Sequence, residues 1–196
     1  MAQIILASAS PRRKELLGQV GLEFKVVEPD IDETNSLNFG AAELVQHLAY
    51  EKALNVANKI ANITGTDGAL VIGADTVVFK DSILGKPSDK DEAFEMLKNL
   101  QGHWHDVITG LAVVDTVTRK SISVFDTTRV KMKVLSDRAI QAYIDSGEPL
   151  DKAGAYGIQG LGAVIVEKIE GCYFNVVGLP LAKLSNLLEN FGVSVL

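Results

Sequence analysis

Apolar and polar residues alternate along this chain in two different rhythms. Residues 4–7 form an unbroken apolar run and predict a buried strand, after which Ser10 and Pro11 read as a helix N-cap and first helical residue. That helix continues through Lys14, Glu15, Leu16, Leu17 and Val20 until Gly21 stops it. Leu22, Phe24 and Val26 alternate with polar residues as a second strand, which ends at Pro29 before the acidic turn Asp30-Ile31-Asp32-Glu33. The spacing of Leu44, Val45, Leu48, Ala49, Leu54 and Val56 predicts a long helix over about 41–60, with Glu51 and Lys52 in its middle.

Residues 70–74 read as a short buried strand that breaks at Gly73 and resumes over Val77-Val78-Phe79, followed by a turn at Lys80-Asp81-Ser82. Ser88 is the expected cap of a helix whose apolar side is Phe94, Met96, Leu97 and Leu100, with Asp91 completing a variant capping box. Two β-rich segments, about 106–117 and 121–133, flank a charged turn at Arg119-Lys120 and form an expected antiparallel pair. Ser136 caps a helix that ends at Gly147. Residues 163–169 read as a strand and 181–191 as a final amphipathic helix. Without a repeat, linker or boundary signal, the chain reads as one mixed α/β domain over residues 1–196.

Composition narrows the function. An apolar fraction of 47% and a charged fraction of 22% are those of a soluble globular protein, and 196 residues can bury a substantial core. No apolar stretch approaches the ~18 residues of a membrane span. The single Cys172 cannot form an internal disulfide, which fits a reducing cytoplasm, and it reads as a packed small residue. No Cys/His cluster has zinc spacing. The formal charge is −6 and the pI about 5.1, where a general nucleic-acid binder would carry a basic face. A small polyanion is the better partner.

Scarce positive charge makes its placement informative. Arg12 and Arg13 fall in the first turn of a helix, at the end cations normally avoid, so the strand-turn-helix reads as a site for a multiply charged anion. The Walker A pattern is absent, and the helix that follows is charged rather than the apolar core of an export signal. Asp75, at the apparent strand break, suits a metal ligand or general base, or a turn Asp bonding its own backbone. Asp30, Asp32 and Glu33 form a second acidic cluster of the oxygen type that Mg²⁺ takes together with phosphates. Residues 147–162 carry five glycines, and Lys152, Tyr156 and Gln159 read as ligand-facing groups on a backbone built for close approach. His103 and His105 bracket Trp104 and suggest a strand-edge role, while His47 is expected exposed on the long helix.

The segments Leu6-Ala7-Ser8-Ala9-Ser10-Pro11-Arg12-Arg13, Glu51-Lys52-Ala53, Gly73-Ala74-Asp75-Thr76-Val77, Gly85-Lys86-Pro87, Thr109-Gly110 and 147–162 together resemble the Maf family of nucleoside triphosphate pyrophosphatases. The similarity continues through Asn175-Val176-Val177-Gly178-Leu179-Pro180 and so covers nearly the whole chain. Within the family the sequence looks like the branch acting on dTTP and UTP. Arg12 after Ser-Pro, Thr76 after Asp75, and Gln159 follow that branch's pattern, whereas the 7-methyl-GTP branch typically has Trp in place of this arginine.

The resemblance implies a mixed α/β fold similar to that of inosine triphosphate pyrophosphatases, a long twisted sheet with two lobes around a central cleft. It implies a cytoplasmic enzyme, often a dimer, that needs a divalent cation such as Mg²⁺ or Mn²⁺ and has been linked to septum formation and cell-division arrest. Its substrates would be nucleoside triphosphates, with neither nucleic acid nor membrane as partner. Hydrolysis between the α and β phosphates would leave a monophosphate and pyrophosphate. Ser8, Arg13, Lys52 and Lys86 would cradle the phosphates, Lys52 and Lys86 forming the catalytic set with Asp75. Asp75 would accept a proton from water or hold the metal that activates it, with Glu33 as its partner in metal binding. Arg12, Thr76 and Gln159 would read the base. A nucleotide-binding regulator without turnover is the alternative, but a pure polyanion binder gains nothing from Asp75 and Glu33 unless a metal sits there.

Overall fold

The apolar run near the N-terminus is an inner strand of a mixed sheet. The computed structural model describes residues 3–33, 38–61 and 68–196. Among these the elements are β1 (Gln3–Ala7), α1 (Pro11–Gln19), β2 (Phe24–Val27), α2 (Ala41–Ala61), β3 (Ala69–Lys80), β4 (Ser82–Leu84), α3 (Lys90–Leu100), β5 (Trp104–Asp115), β6 (Ser121–Met132), α4 (Asp137–Asp145), β7 (Val166–Glu170), α5 (Tyr173–Val177) and α6 (Leu181–Glu189). The seven strands run in the order β2-β1-β3-β5-β6-β7, with β4 paired antiparallel to β3. β1 lies parallel to β2 and to β3, with Ala7 opposite Val27 and Gly73. Strands in this position are covered on both faces, and so β1 is apolar without alternation. The expected mixed α/β class is what the chain adopts.

The described residues pack as two compact units. The first comprises Met1–Asp75, Thr109–Asp126 and Gly178–Leu196. Its core sets Ile5, Ala7, Val71, Ala112 and Val114 of the strands against Ala49, Ala53, Val56, Ala57 and Ile60 of α2. The small side chains recur every four residues along α2 and bring the helix axis close to the sheet. The second unit comprises Thr76–Ile108 and Thr127–Val177. Its core gathers Leu97 and Leu100 of α3 and Ile140 and Ile144 of α4 around Val78, Val107, Val130 and Met132.

Several local expectations shift. β3 is continuous from Ala69 to Lys80, so Gly73 is no break and Asp75 sits inside an unbroken strand. The α3 cap is Asp89, whose carboxylate accepts the Glu92 N–H at 2.8 Å, while Ser88 lies outside the helix and donates to the Glu92 side chain. Residues 160–164 form a 3₁₀ turn, so β7 begins only at Val166. Strand β4 and helix α5 are too short to show a period in sequence. His47 is half-buried, edge-on to Phe39 at 5.2 Å.

His105 is not a strand-edge group. It is 4% exposed, its Nε2 lies 2.6 Å from the Tyr156 hydroxyl, and its Nδ1 has no hydrogen-bond partner among the described residues. Burial lowers its pKa to about 4, with the charge of Lys80 adding to the effect. A base depressed in this way stabilises the fold fully above its unfolded pKa of about 6.5 and progressively less as pH falls toward about 4. Between pH 7 and 4.5, urea unfolding of the native chain is therefore expected to lose about 2–3 kcal/mol more than that of His105→Gln. Equal losses in the two proteins would exclude the effect.

Candidate active site

The site in the first unit begins where β1 ends. Ala7 pairs with Gly73, and Ser8 therefore leaves the sheet beside Ala74 and Asp75. Ser8 is buried, and its Oγ accepts the Ser10 N–H at 3.1 Å, which shapes the turn into α1. Pro11 opens the helix, and its first turn contains no acidic residue. Arg13 reaches from that turn to Gly178, donating from Nε to the carbonyl at 2.8 Å. Desolvation lowers the pKa of this partly buried guanidinium. Asp75 and Glu33 pull it back up, and the neighbouring Arg12 pushes it down. Arg13, Arg12, Asp75 and Glu33 thus share one electrostatic neighbourhood at the positive end of a helix dipole.

Lys52 holds the acidic side of this neighbourhood. Its ammonium lies 2.6 Å from Asp75 Oδ1 and 2.7 Å from Glu33 Oε1. Lys52 and Asp75 are 6% and 7% exposed, so each is the counter-charge that makes burial of the other tolerable. The pairing follows from how α2 meets the sheet. A Cβ on Gly73 would lie 2.0 Å from the Ala49 carbonyl oxygen, and one on Gly110 would lie 2.1 Å from that of Val45. Lys52 follows Ala49 by one helical turn, and Asp75 follows Gly73 by one strand repeat on the same face. The backbone contact therefore dictates the ion pair. Asn55, three residues beyond Lys52 on α2, grips the acidic turn. Its Oδ1 accepts the Asp30 N–H at 3.1 Å, and its Nδ2 donates to the Asp30 carbonyl at 2.9 Å. Nothing in the sequence marked Asn55, because its partner is a backbone peptide 25 residues away.

Two carboxylates that share one cation present hard oxygen donors to a single point. The donor set fits Mg²⁺ or Mn²⁺, since Mg²⁺ is commonly held by one or two carboxylates with phosphates and water. Among the described residues no group of three or more His, Cys, Asp or Glu is placed to hold a metal.

Thr76, Lys86 and Gln159 belong to the second unit. Thr76 directly follows Asp75 on β3. Lys86 is exposed beside buried Pro87, and its turn is tied to the glycine-rich segment by the Gly154 N–H donating to the Gly85 carbonyl at 2.9 Å. That segment folds into three successive 3₁₀ turns, Glu148–Asp151, Ala153–Ala155 and Gly160–Val164. Gln159 stands half-buried just before the third. Tyr156 turns inward onto His105, and the Lys152 ammonium is taken by the Glu148 carbonyl and the Asp151 carboxylate at 2.5 and 2.6 Å. Neither presents the ligand-facing group that the sequence suggested.

The sequence profile of the family described as Maf-like protein matches residues 3–191. The chain belongs to the Maf family. It is 61% identical to the dTTP/UTP pyrophosphatase of Acetivibrio thermocellus over all of this chain and 98% of that protein. It is 52% identical to the dTTP/UTP pyrophosphatase of Alkaliphilus oremlandii and 50% identical to that of Desulforamulus reducens, each over the full length of both chains. The Maf match includes Glu33, Lys52 and Asp75 of the first unit and the glycine-rich turns of the second.

The seat of α2 makes a direct test. Gly73→Ala forces a methyl group onto the Ala49 carbonyl and is expected to cost at least about 1–3 kcal/mol in chemical unfolding. Gly18→Ala, where a Cβ meets nothing within 4 Å, is expected to be neutral or stabilising by up to about 1 kcal/mol. Similar effects at both positions would contradict a close backbone seat.

Proposed function

We propose that this chain hydrolyses dTTP and UTP to the nucleoside monophosphate and pyrophosphate. The observation that carries the reading is the buried Lys52 ammonium shared by Asp75 and Glu33, beside two arginines in a helix's first turn. The names of the full-length relatives support the substrate class.

Water attacks the α-phosphorus, and the bond to the oxygen bridging the α and β phosphates breaks. The water proton passes to Asp75, and pyrophosphate departs with the electron pair. Such a transition state needs positioning and charge stabilisation more than covalent participation. Ser8, Arg13, Lys52 and Lys86 cradle the phosphates. Arg13 is suited to this because its desolvated guanidinium gains from an incoming anion. Glu33 and Asp75 would hold a divalent cation, which would supply charge neutralisation to the triphosphate. A carboxylate has two oxygens, so Asp75 can serve both the cation and the proton.

Gln159, with Arg12 and Thr76, reads the base. Its amide offers adjacent donor and acceptor atoms that match the edge of thymine or uracil, whereas cytosine reverses that edge. The thymine methyl is worth only about 1–3 kcal/mol in an apolar pocket, so dTTP and UTP are both accepted. Among the described residues no helix is long and apolar enough to cross a membrane. A cytoplasmic location, free nucleotides rather than nucleic acid as partners, and a homodimeric assembly complete the proposal. The charge of −6 supports the preference for free nucleotides.

Incubation with dTTP, UTP, CTP and GTP and Mg²⁺ or Mn²⁺, assayed for pyrophosphate against orthophosphate, tests the reaction. Asp75→Asn is expected to lose at least about 10²-fold in kcat while nucleotide still binds. Near-native turnover by the folded variant would remove Asp75 from the mechanism. Gln159→Ala is expected to narrow the gap in kcat/KM between dTTP and CTP more than it slows dTTP. Comparable native kcat/KM for dTTP, CTP and GTP would refute the base preference and leave the pyrophosphatase reaction standing.

A further inference from the structure

Glu148 takes no part in the chemistry above, yet it is the most heavily engaged carboxylate of the glycine-rich segment. Its Oε1 accepts the Tyr143 hydroxyl at 2.8 Å and the Gly162 N–H at 3.1 Å, and its Oε2 accepts the Leu161 N–H at 2.9 Å. The Tyr143 oxygen in turn accepts the Gly157 N–H at 3.2 Å. The backbone is therefore gripped at Gly157 on one side of Gln159 and at Leu161 and Gly162 on the other. The glycines fit around this grip. A Cβ on Gly160, whose φ is +61°, would lie 2.5 Å from Glu148 Oε2, and one on Gly162 would lie 1.9 Å from the Gly157 carbonyl oxygen. Burial pushes the Glu148 carboxyl up, but the Leu161 and Gly162 amides and the Tyr143 hydroxyl more than reverse this, leaving it below the usual carboxylate range. At neutral pH it is a partly buried anion bound by two amides of the segment and the hydroxyl of Tyr143.

We propose that Glu148, acting with Tyr143, is a specificity-positioning residue that fixes the backbone on both sides of Gln159 and so sets the enzyme's choice among nucleobases. The proposal rests on the assignment of Gln159 to base reading. Discrimination by an amide against a reversed donor–acceptor edge requires that the amide neither retreat nor turn over. Side chains hold such geometry only when their supporting contacts are satisfied. Tyr143 is itself buried in the core of the second unit, so the grip is anchored to α4 rather than to another loop.

Two variants loosen the grip differently. Glu148→Gln replaces one acceptor oxygen by an NH₂ group, which must face a donor on one side. Tyr143→Phe deletes one oxygen and keeps the ring in the core, so its fold is preserved. Full kinetics with dTTP, UTP and CTP, melting temperatures, and the same measurements on Gln159→Ala form the experiment. Both variants are expected to lower the dTTP:CTP ratio of kcat/KM by at least about tenfold, mainly through KM for dTTP, with kcat changed only a few-fold. Gln159→Ala added to Glu148→Gln is expected to lower the ratio little further, because both act through one contact. The proposal is overturned if folded Tyr143→Phe and Glu148→Gln keep the native ratio while Gln159→Ala does not. If Gln159→Ala itself leaves the ratio unchanged, the base-reading assignment falls, and the proposal falls with it.

Discussion

The approach of helix α2 to the sheet, close enough that only glycine fits beneath it, is the constraint on which the first unit depends. Gly73 and Gly110 face carbonyl oxygens at Ala49 and Val45, one helical turn apart, so the helix is held at two points along its axis. Ala53 and Ala57, farther along the helix, are small residues buried in the same core. Once that distance and rotation are set, Lys52 has little choice but to meet Asp75, and Asn55 to meet the acidic turn. Chemistry here is a consequence of packing.

Charge organisation follows from the same seat. A chain with a net charge of −6 concentrates Arg12, Arg13 and Lys52 in one neighbourhood and balances them with Asp75 and Glu33. Lys52 buried without a carboxylate, or Asp75 buried without an ammonium, would each cost several kcal/mol. The pair is therefore interdependent, and the free protein stores its cation against its own acids. Arriving phosphates would offer that cation a competing partner without requiring a new one to be brought in.

The glycine-rich segment of the second unit solves a different problem. Its small residues let the backbone fold tightly around the Glu148 carboxylate and the Tyr143 hydroxyl. Gly154 approaches Val78 at 2.9 Å from its would-be Cβ, which closes the turn onto β3. At Gly154 and Gly160 a positive φ coincides with a contact that a Cβ would violate, so both the backbone conformation and the space call for glycine there.

The mixed α/β class and the order of the longer elements were legible in the sequence, as were the charges available to a site, whereas β4, α5 and the 3₁₀ turns were not. The legible features rest on local periodicity, capping residues and the rarity of positive charge, which short windows display. Other features were decided by atoms far away in the chain. Gly73 reads locally as a strand break, because a break and a close approach both call for a missing Cβ; the deciding atom, the Ala49 carbonyl, lies in another element. Ser88 and Asp89 are both good caps, and the choice between them fell to whichever side chain reached the Glu92 amide. Tyr156 and Lys152 looked outward-facing until His105, Glu148 and Asp151 were found to occupy them. By itself the sequence determined where the longer helices and strands lie and which charges are available. The tertiary structure alone decided which charges meet and which polar groups are spent holding the backbone, because a hydrogen bond or close contact depends on positions of a few tenths of an ångström that only packing sets.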